Sequence, residues 1–289
     1  MEDLDQPRVQ PGCDESILED LKWLGLEWDE GPPSEHPAGP YVQSQRTAIY
    51  QAALDQLHSQ GLVYRCYCSR KDIAQAVSAP HGQDGLPPYP GTCSQLSPEE
   101  EAKLIRDKPD RIPAWRFRVP GKPIEMVDRI YGPLTHNLKE VVGDFILKRA
   151  DGLFAYQLAV VVDDGLMGVT DVLRGADLLD SAPRQIALFQ ALSLQPPTFW
   201  HVPLAHSTSG QRLAKRDGAS GLEPLRQQGI APERVIGFLA ASLGWAAHDE
   251  SLPVSALLNR LTPQQFRDSL NTCGLDRKSI LDAQKIRNP

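Results

Sequence analysis

Apolar positions recur at helical spacing in two early stretches. They predict an amphipathic helix over Glu15–Leu24 that stops at Gly25, and a longer one over Ser44–Gln60 with Ser44 as N-cap and Gly61 as its stop. Alternation then takes over, and Leu62–Tyr67 reads as a strand. The Pro- and Gly-rich run from Ser78 to Ser97 predicts an irregular loop that needs an external tie. Ser97-Pro98-Glu99-Glu100 has the form of a capping box with proline in the first helical position, so a helix should follow to about Asp107. Arg111–Arg129 predicts paired strands around a turn at Pro120-Gly121.

After Gly143 the pattern becomes strongly apolar. "DFILKRADGLFAYQLAVVVDD" has few breakers, "GVTDVLRG" reads as a buried strand followed by a turn, and Ala182–Leu192 predicts a helix capped by Ser181. Apolar elements buried on both faces and alternating with helices imply a parallel α/β layer. From Glu223 onward "PERVIGFLAASLG", "PVSALLNRL" and "TPQQFRDSL" read as successive helices of a small helical domain.

At 289 residues the chain exceeds the usual single-domain size. No apolar run is long enough to cross a bilayer, and the acidic N-terminus lacks a signal-peptide pattern, which points to the cytoplasm. The net charge of −7 would disfavour a nucleic-acid partner, but it is unevenly spread. Residues 1–35 carry eleven Asp/Glu against two Lys/Arg, whereas Lys103–Lys122 holds seven basic residues against Asp107 and Asp110. Trp115 and Phe117 alternate there with Arg116 and Arg118, which suits either RNA contacts or the solvent face of a strand.

Cys66 and Cys68 stand two apart at the end of a strand, so their side chains leave the same face. The proline-rich loop adds Tyr89 and Cys93. Three cysteines and a fourth donor make a zinc site, with His81 as the nearest histidine, whereas three unrelated reduced thiols are the alternative. Cys13 and Cys273 lie outside the cluster.

The ordered motifs "CYC" (66–68), "YPGTC" (89–93), "FAYQLAVVVDD" (154–164), "GVTDVLRGADLLDSAPRQ" (168–185) and "RLAKR" (212–216) resemble those of class I glutamyl-tRNA synthetase-like enzymes. Within that group the resemblance is greatest to the short glutamyl-queuosine tRNA(Asp) synthetase family, and it covers essentially the whole chain. The resemblance implies an α/β Rossmann-like catalytic core over 1–61 and 143–195, an inserted zinc- and acceptor-binding subdomain over 62–142, and a signature loop with a helical C-terminal domain over 196–289. One structural Zn²⁺ would be held by Cys66, Cys68, Tyr89 and Cys93. Glu2, Tyr156 and Arg174 match the glutamate-binding positions, with Glu2 taking the ammonium group and Arg174 pairing with a carboxylate. "RLAKR" matches the loop that embraces ATP phosphates, with Lys215 as the catalytic cation and Arg216 beside it, although Arg212 and Ala214 depart from the more usual lysine and serine. The implied reaction activates glutamate with ATP and Mg²⁺ and transfers it to the queuosine base of tRNA(Asp), by a monomer.

"MEDLDQPR" resembles the end of the second strand of such a core, and no HxGH signature occurs in the chain. The expectation is that about 40 upstream residues, a strand, a helix and most of a second strand, are missing. Two other readings stay open. One is a fragment of an ordinary glutamyl-tRNA synthetase, against which stand the roughly 70 residues after the signature loop, few for an anticodon-binding domain. The other is a non-catalytic RNA-binding scaffold that has lost its ATP site.

Overall fold

The protein is described by a computed structural model for residues 1–5, 9–32, 37–69, 71–73, 88–204, 222–262, 264–266 and 268. The elements run in chain order: α1 (Cys13–Trp23), a 3₁₀ turn (Gln43–Arg46), α2 (Thr47–Ser59), β1 (Val63–Cys66), α3 (Pro98–Asp107), β2 (Ala114–Phe117), β3 (Ile124–Asp128), β4 (Gly132–His136) and the short α4 (Leu138–Val141). There follow β5 (Phe145–Lys148), α5 (Tyr156–Met167), β6 (Asp171–Gly175), a 3₁₀ turn (Ala176–Ser181), α6 (Ala182–Ala191), β7 (Thr198–Val202), α7 (Glu223–Gln227), α8 (Pro232–Ser242) and α9 (Val254–Arg260).

Three small sheets organise the described residues. β1, β2 and β5 form an antiparallel sheet in that order, β3 and β4 a hairpin, and β6 and β7 a parallel pair in which Arg174 stands opposite His201. One apolar core runs between them: Tyr50, Leu54 and Leu57 of α2, Phe117, Phe145 and Leu147 of the first sheet, Leu158 and Val161 of α5, and Leu188 and Phe189 of α6. Each fully buried leucine or phenylalanine there contributes about 1.5–3 kcal/mol. α2 and α5 are further tied by Asp163, whose carboxylate accepts from Arg46 Nε at 2.6 Å, Gln43 Nε2 at 2.9 Å and the Tyr50 hydroxyl at 2.9 Å. A smaller cluster of Tyr64, Cys66, Tyr67, Tyr89 and Cys93 lies at the end of β1.

The capping box forms as the sequence predicts, with Ser97 Oγ accepting from Glu100 N and the Glu100 carboxylate accepting from Ser97 N. Gly25 and Gly61 follow α1 and α2 at φ 74° and 71°, where a side chain would be strained. Other expectations are corrected. Ser44 caps nothing, because a 3₁₀ turn precedes α2 and Ser44 N instead donates to Asp3 Oδ1 at 2.8 Å. Ser181 does stand at the N-cap position of α6, but with helical backbone and no capping bond, and its hydroxyl instead accepts from Gln157 Nε2 at 3.1 Å. The strands within Arg111–Arg129 do not pair around Pro120-Gly121. β2 pairs with β1 and β5, and β3 turns back onto β4 through Arg129–Tyr131, where Asp128 Oδ1 accepts from Ile130 N and Tyr131 N, each at 2.9 Å. β6 is not buried on both faces: Leu173 is 61 % exposed. Within the last predicted helix, at "TPQQFRDSL", residues 264–266 and 268 are described and are helical, and the remainder past 268 lies outside the described residues.

Candidate functional site

One face of α5 and the strand β6 build a cleft of about 440 Å³, lined by Glu2, Tyr156, Val160, Asp164, Arg174 and Leu178 among others. Tyr156, Val160 and Asp164 follow one another at i, i+4 and i+8, so a single helical stripe furnishes one wall. Arg174 comes from the facing strand. The cleft therefore brings together Glu2, Tyr156 and Arg174, the three residues the sequence singles out for the amino acid.

Its electrostatics are those of separated opposite charges. Burial pushes the Asp164 carboxyl up to about 6, reinforced by the adjacent Asp163 and Glu2 and opposed by Arg174. Desolvation also raises Glu2, and burial followed by the Glu2 charge raises the Tyr156 phenol. Arg174 is itself partly desolvated, which lowers it, while Tyr156, Asp164 and Asp128 act the other way. Two carboxyls and one guanidinium lining the same cleft are suited to an ammonium group and a carboxylate on one small ligand.

Behind Arg174 stands a buried chain of polar groups. Arg174 Nε donates to His201 Nε2 at 3.0 Å, and His201 Nδ1 meets Asp128 Oδ2 at 2.6 Å. Burial alone would raise Asp128, but the His201 hydrogen bond and the Tyr131 and Ile130 amides outweigh it and hold the carboxyl below its ordinary value. The Arg174 guanidinium also lies 5.0 Å over the Phe199 ring.

The second constellation is the cysteine cluster. The sulfurs of Cys66, Cys68 and Cys93 lie within 4.8 Å of one another, with Cys68 and Cys93 at 3.5 Å. The Tyr89 hydroxyl stands 3.4 Å from Cys66 Sγ and 3.7 Å from Cys68 Sγ. Thiolates bound at ~2.3 Å to a tetrahedral ion sit roughly 3.8 Å apart, so the donor set fits a metal ion of that kind. Hydrogen bonding with Cys93, then with Tyr89, holds the Cys66 thiol well below its usual value, while the same contact with Cys66 and burial push Cys93 up. Arg116 is buried beneath the cluster, its guanidinium 3.8 Å over the Tyr89 ring, and it pairs with no carboxylate among the described residues. Its Nε lacks a hydrogen-bond partner among them as well. Tyr89 is held by its own backbone, with Tyr89 N donating to Val142 O at 3.2 Å and a bridge to Gly143.

Arg212, Ala214, Lys215 and Arg216 lie outside the described residues, as do His81 and Cys273. The basic stripe does not present its aromatics to a partner: Phe117 is in the core, Trp115 packs edge-on against His58 at 5.0 Å, and Arg116 belongs to the cysteine cluster. The sequence reading missed Asp164, Asp128 and His201, and it assigned Arg116 to the basic stripe. Only Asp164 carried a local signal, its i+8 spacing from Tyr156.

Residues 1–269 match the family model described as tRNA synthetases class I (E and Q), catalytic domain. The chain is 48% identical over 244 residues to the Glutamyl-Q tRNA(Asp) synthetase of Nitratidesulfovibrio vulgaris, covering 84% of this chain and 75% of that protein. It is 47% identical over 260 residues to that of Symbiobacterium thermophilum, with 89% and 79% covered. Among solved structures it is similar to a glutamate tRNA ligase from Elizabethkingia meningosepticum in complex with its amino acid, at TM-score 0.75 and 27% identity. That match covers 92% of this chain but 57% of the longer ligase.

Proposed function

The chain belongs to the class I tRNA synthetases of the E and Q group, and from that premise we propose that it is an ATP-dependent ligase that activates glutamate and transfers it to the queuosine base of tRNA(Asp). The observation that carries this reading is the cleft in which Glu2, Tyr156, Asp164 and Arg174 meet. The acceptor is supported by relatives named Glutamyl-Q tRNA(Asp) synthetase at 45–48% identity.

In this reading Glu2 and Asp164 receive the ammonium of glutamate and Arg174 takes its side-chain carboxylate. Pairing the guanidinium with the side chain leaves the α-carboxylate free to attack the α-phosphorus of ATP and expel pyrophosphate. A hydroxyl of the acceptor then attacks the activated carbonyl and AMP leaves. No protein nucleophile is required; positioning and charge neutralisation supply the catalysis, with Lys215 and Arg216 serving the phosphates together with Mg²⁺. Cys66, Cys68, Tyr89 and Cys93 hold one Zn²⁺, whose role there is to tie the loop carrying Tyr89 and Cys93 to β1. The segments 1–61 with 143–195, 62–142 and 196–289 serve as core, zinc subdomain and C-terminal part of a cytoplasmic monomer.

A second reading, loading of glutamate onto tRNA(Glu), is favoured by the 41% identity to Glutamate--tRNA ligase 1 of Halorhodospira halophila. Labelled glutamate and ATP offered with queuosine-containing tRNA(Asp), queuosine-free tRNA(Asp) and tRNA(Glu) separate the two. Label on the first alone supports the proposal, and label on tRNA(Glu) overturns it in favour of the second reading.

A further inference from the structure

Asp128 and His201 take no direct part in glutamate transfer, yet both are among the most buried polar residues of the protein, at 1% and 0% exposure. They are far apart in sequence and come from different sheets. Asp128 ends β3, His201 lies in β7, and the two strands are drawn together where Arg129 N donates to Phe199 O at 3.0 Å. Arg174 and His201 are register partners in the parallel pair β6/β7, so their side chains leave the same face and meet.

The hydrogen bonds determine where the imidazole proton is. Arginine has donors only, so the 3.0 Å contact from Arg174 Nε requires a lone pair on His201 Nε2. The proton must then be on Nδ1, which donates it to Asp128 Oδ2 at 2.6 Å. Asp128 is in turn fixed by the Ile130 and Tyr131 amides on its other oxygen. Every member of the chain is satisfied, and at its cleft end stands the terminal fork of the Arg174 guanidinium, where Nη2 also donates to Leu178 O at 3.4 Å and Tyr156 lies beside it.

We propose that Asp128 and His201 are positioning residues for glutamate recognition: through the single tautomer of His201 they hold Arg174 by its Nε and aim its two terminal nitrogens at the carboxylate of the bound amino acid. The β3/β4 hairpin is thereby a working part of the amino-acid site, and ligand affinity depends on a carboxylate that never touches the ligand. The inference rests on the assignment of the cleft to glutamate.

Asp128→Asn is the discriminating substitution. Its Oδ1 still accepts the two turn amides, but its NH₂ faces Nδ1, which drives the ring to the other tautomer and turns an N–H toward the Arg174 N–H. Glutamate affinity of the 289-residue protein, measured by calorimetry, is expected to fall about tenfold, the cost of one charge-assisted hydrogen bond. Leu134→Ala, which loosens the same hairpin away from the relay, is expected to lower the Tm and leave affinity unchanged. Long-range ¹H–¹⁵N correlation on the unsubstituted protein should show His201 protonated at Nδ1. If Asp128→Asn leaves affinity intact while Arg174→Lys reduces it, the relay is overturned and the glutamate site stands. If Arg174→Lys has no effect on affinity, both fall. A proton on Nε2 overturns the relay whatever the variants do.

Discussion

The consecutive aspartates near the end of α5 differ in role because a helix turns about 100° per residue. Asp163 faces α2 and is neutralised by Arg46, Gln43 and Tyr50, whereas Asp164 faces the cleft and is desolvated beside a like charge. The folded protein therefore binds the Asp164 proton more tightly than the unfolded chain does, and ionising it costs stability. That cost is absent below the ordinary carboxyl value of 3.8 and fully present above about 6. Asp164→Asn should raise the Tm at neutral pH and lose the gain by about pH 4, while weakening glutamate binding; a Tm gain that is the same at both pH values would contradict desolvation of the carboxylate as its cause. The same desolvation predicts that glutamate affinity of the unsubstituted protein falls as pH drops through about 6, because the ammonium partner becomes neutral. In the cysteine cluster, Cys66→Ser should lower bound zinc measured by elemental analysis and leave glutamate affinity nearly unchanged. An unaltered zinc stoichiometry would remove Cys66 from the donor set.

At the scale of elements, the positions that matter are those where two segments approach too closely for a side chain or are bound by one buried charge. Gly143 adopts φ 68°, and a Cβ there would stand 2.5 Å from the Tyr89 carbonyl oxygen. Gly143→Ala must push the Tyr89 segment away from the end of α4, so zinc retention against a chelator should drop although no donor is altered. α2 and α5 offer the converse case. Arg46→Met leaves Asp163 charged and buried at 8% exposure with two neutral donors, and should cost about 3–5 kcal/mol in denaturant unfolding. A cost below about 1 kcal/mol would mean that water or another donor reaches Asp163 in the variant.

For the molecule as a whole, the two constellations belong to different packing units. The cleft is walled by elements of the main core, whereas Tyr64, Cys66, Tyr67, Tyr89 and Cys93 form their own small cluster. Metal removal should accordingly expose amides of 63–68 and 88–96 to hydrogen exchange while those of α5 and α6 stay protected. Loss of protection in α5 at the same rate would show that the cluster and the core unfold together.

What the sequence determined by itself is the local chemistry. The Ser97–Glu100 box, the glycine stops at Gly25 and Gly61, the convergent Cys66 and Cys68, and the wall of α5 that starts at Tyr156 all follow from spacing over a few residues, because capping, turning and facing are short-range properties of the backbone. The family was legible for the same reason, in several short motifs kept in order. Tertiary structure alone decided which strands pair, that Arg116 lies beneath the cysteine cluster instead of meeting solvent, and that Asp128 reaches His201 across 73 positions of sequence. Those outcomes depend on which surfaces are removed from water together, and a buried charge advertises its partner nowhere near itself in the chain.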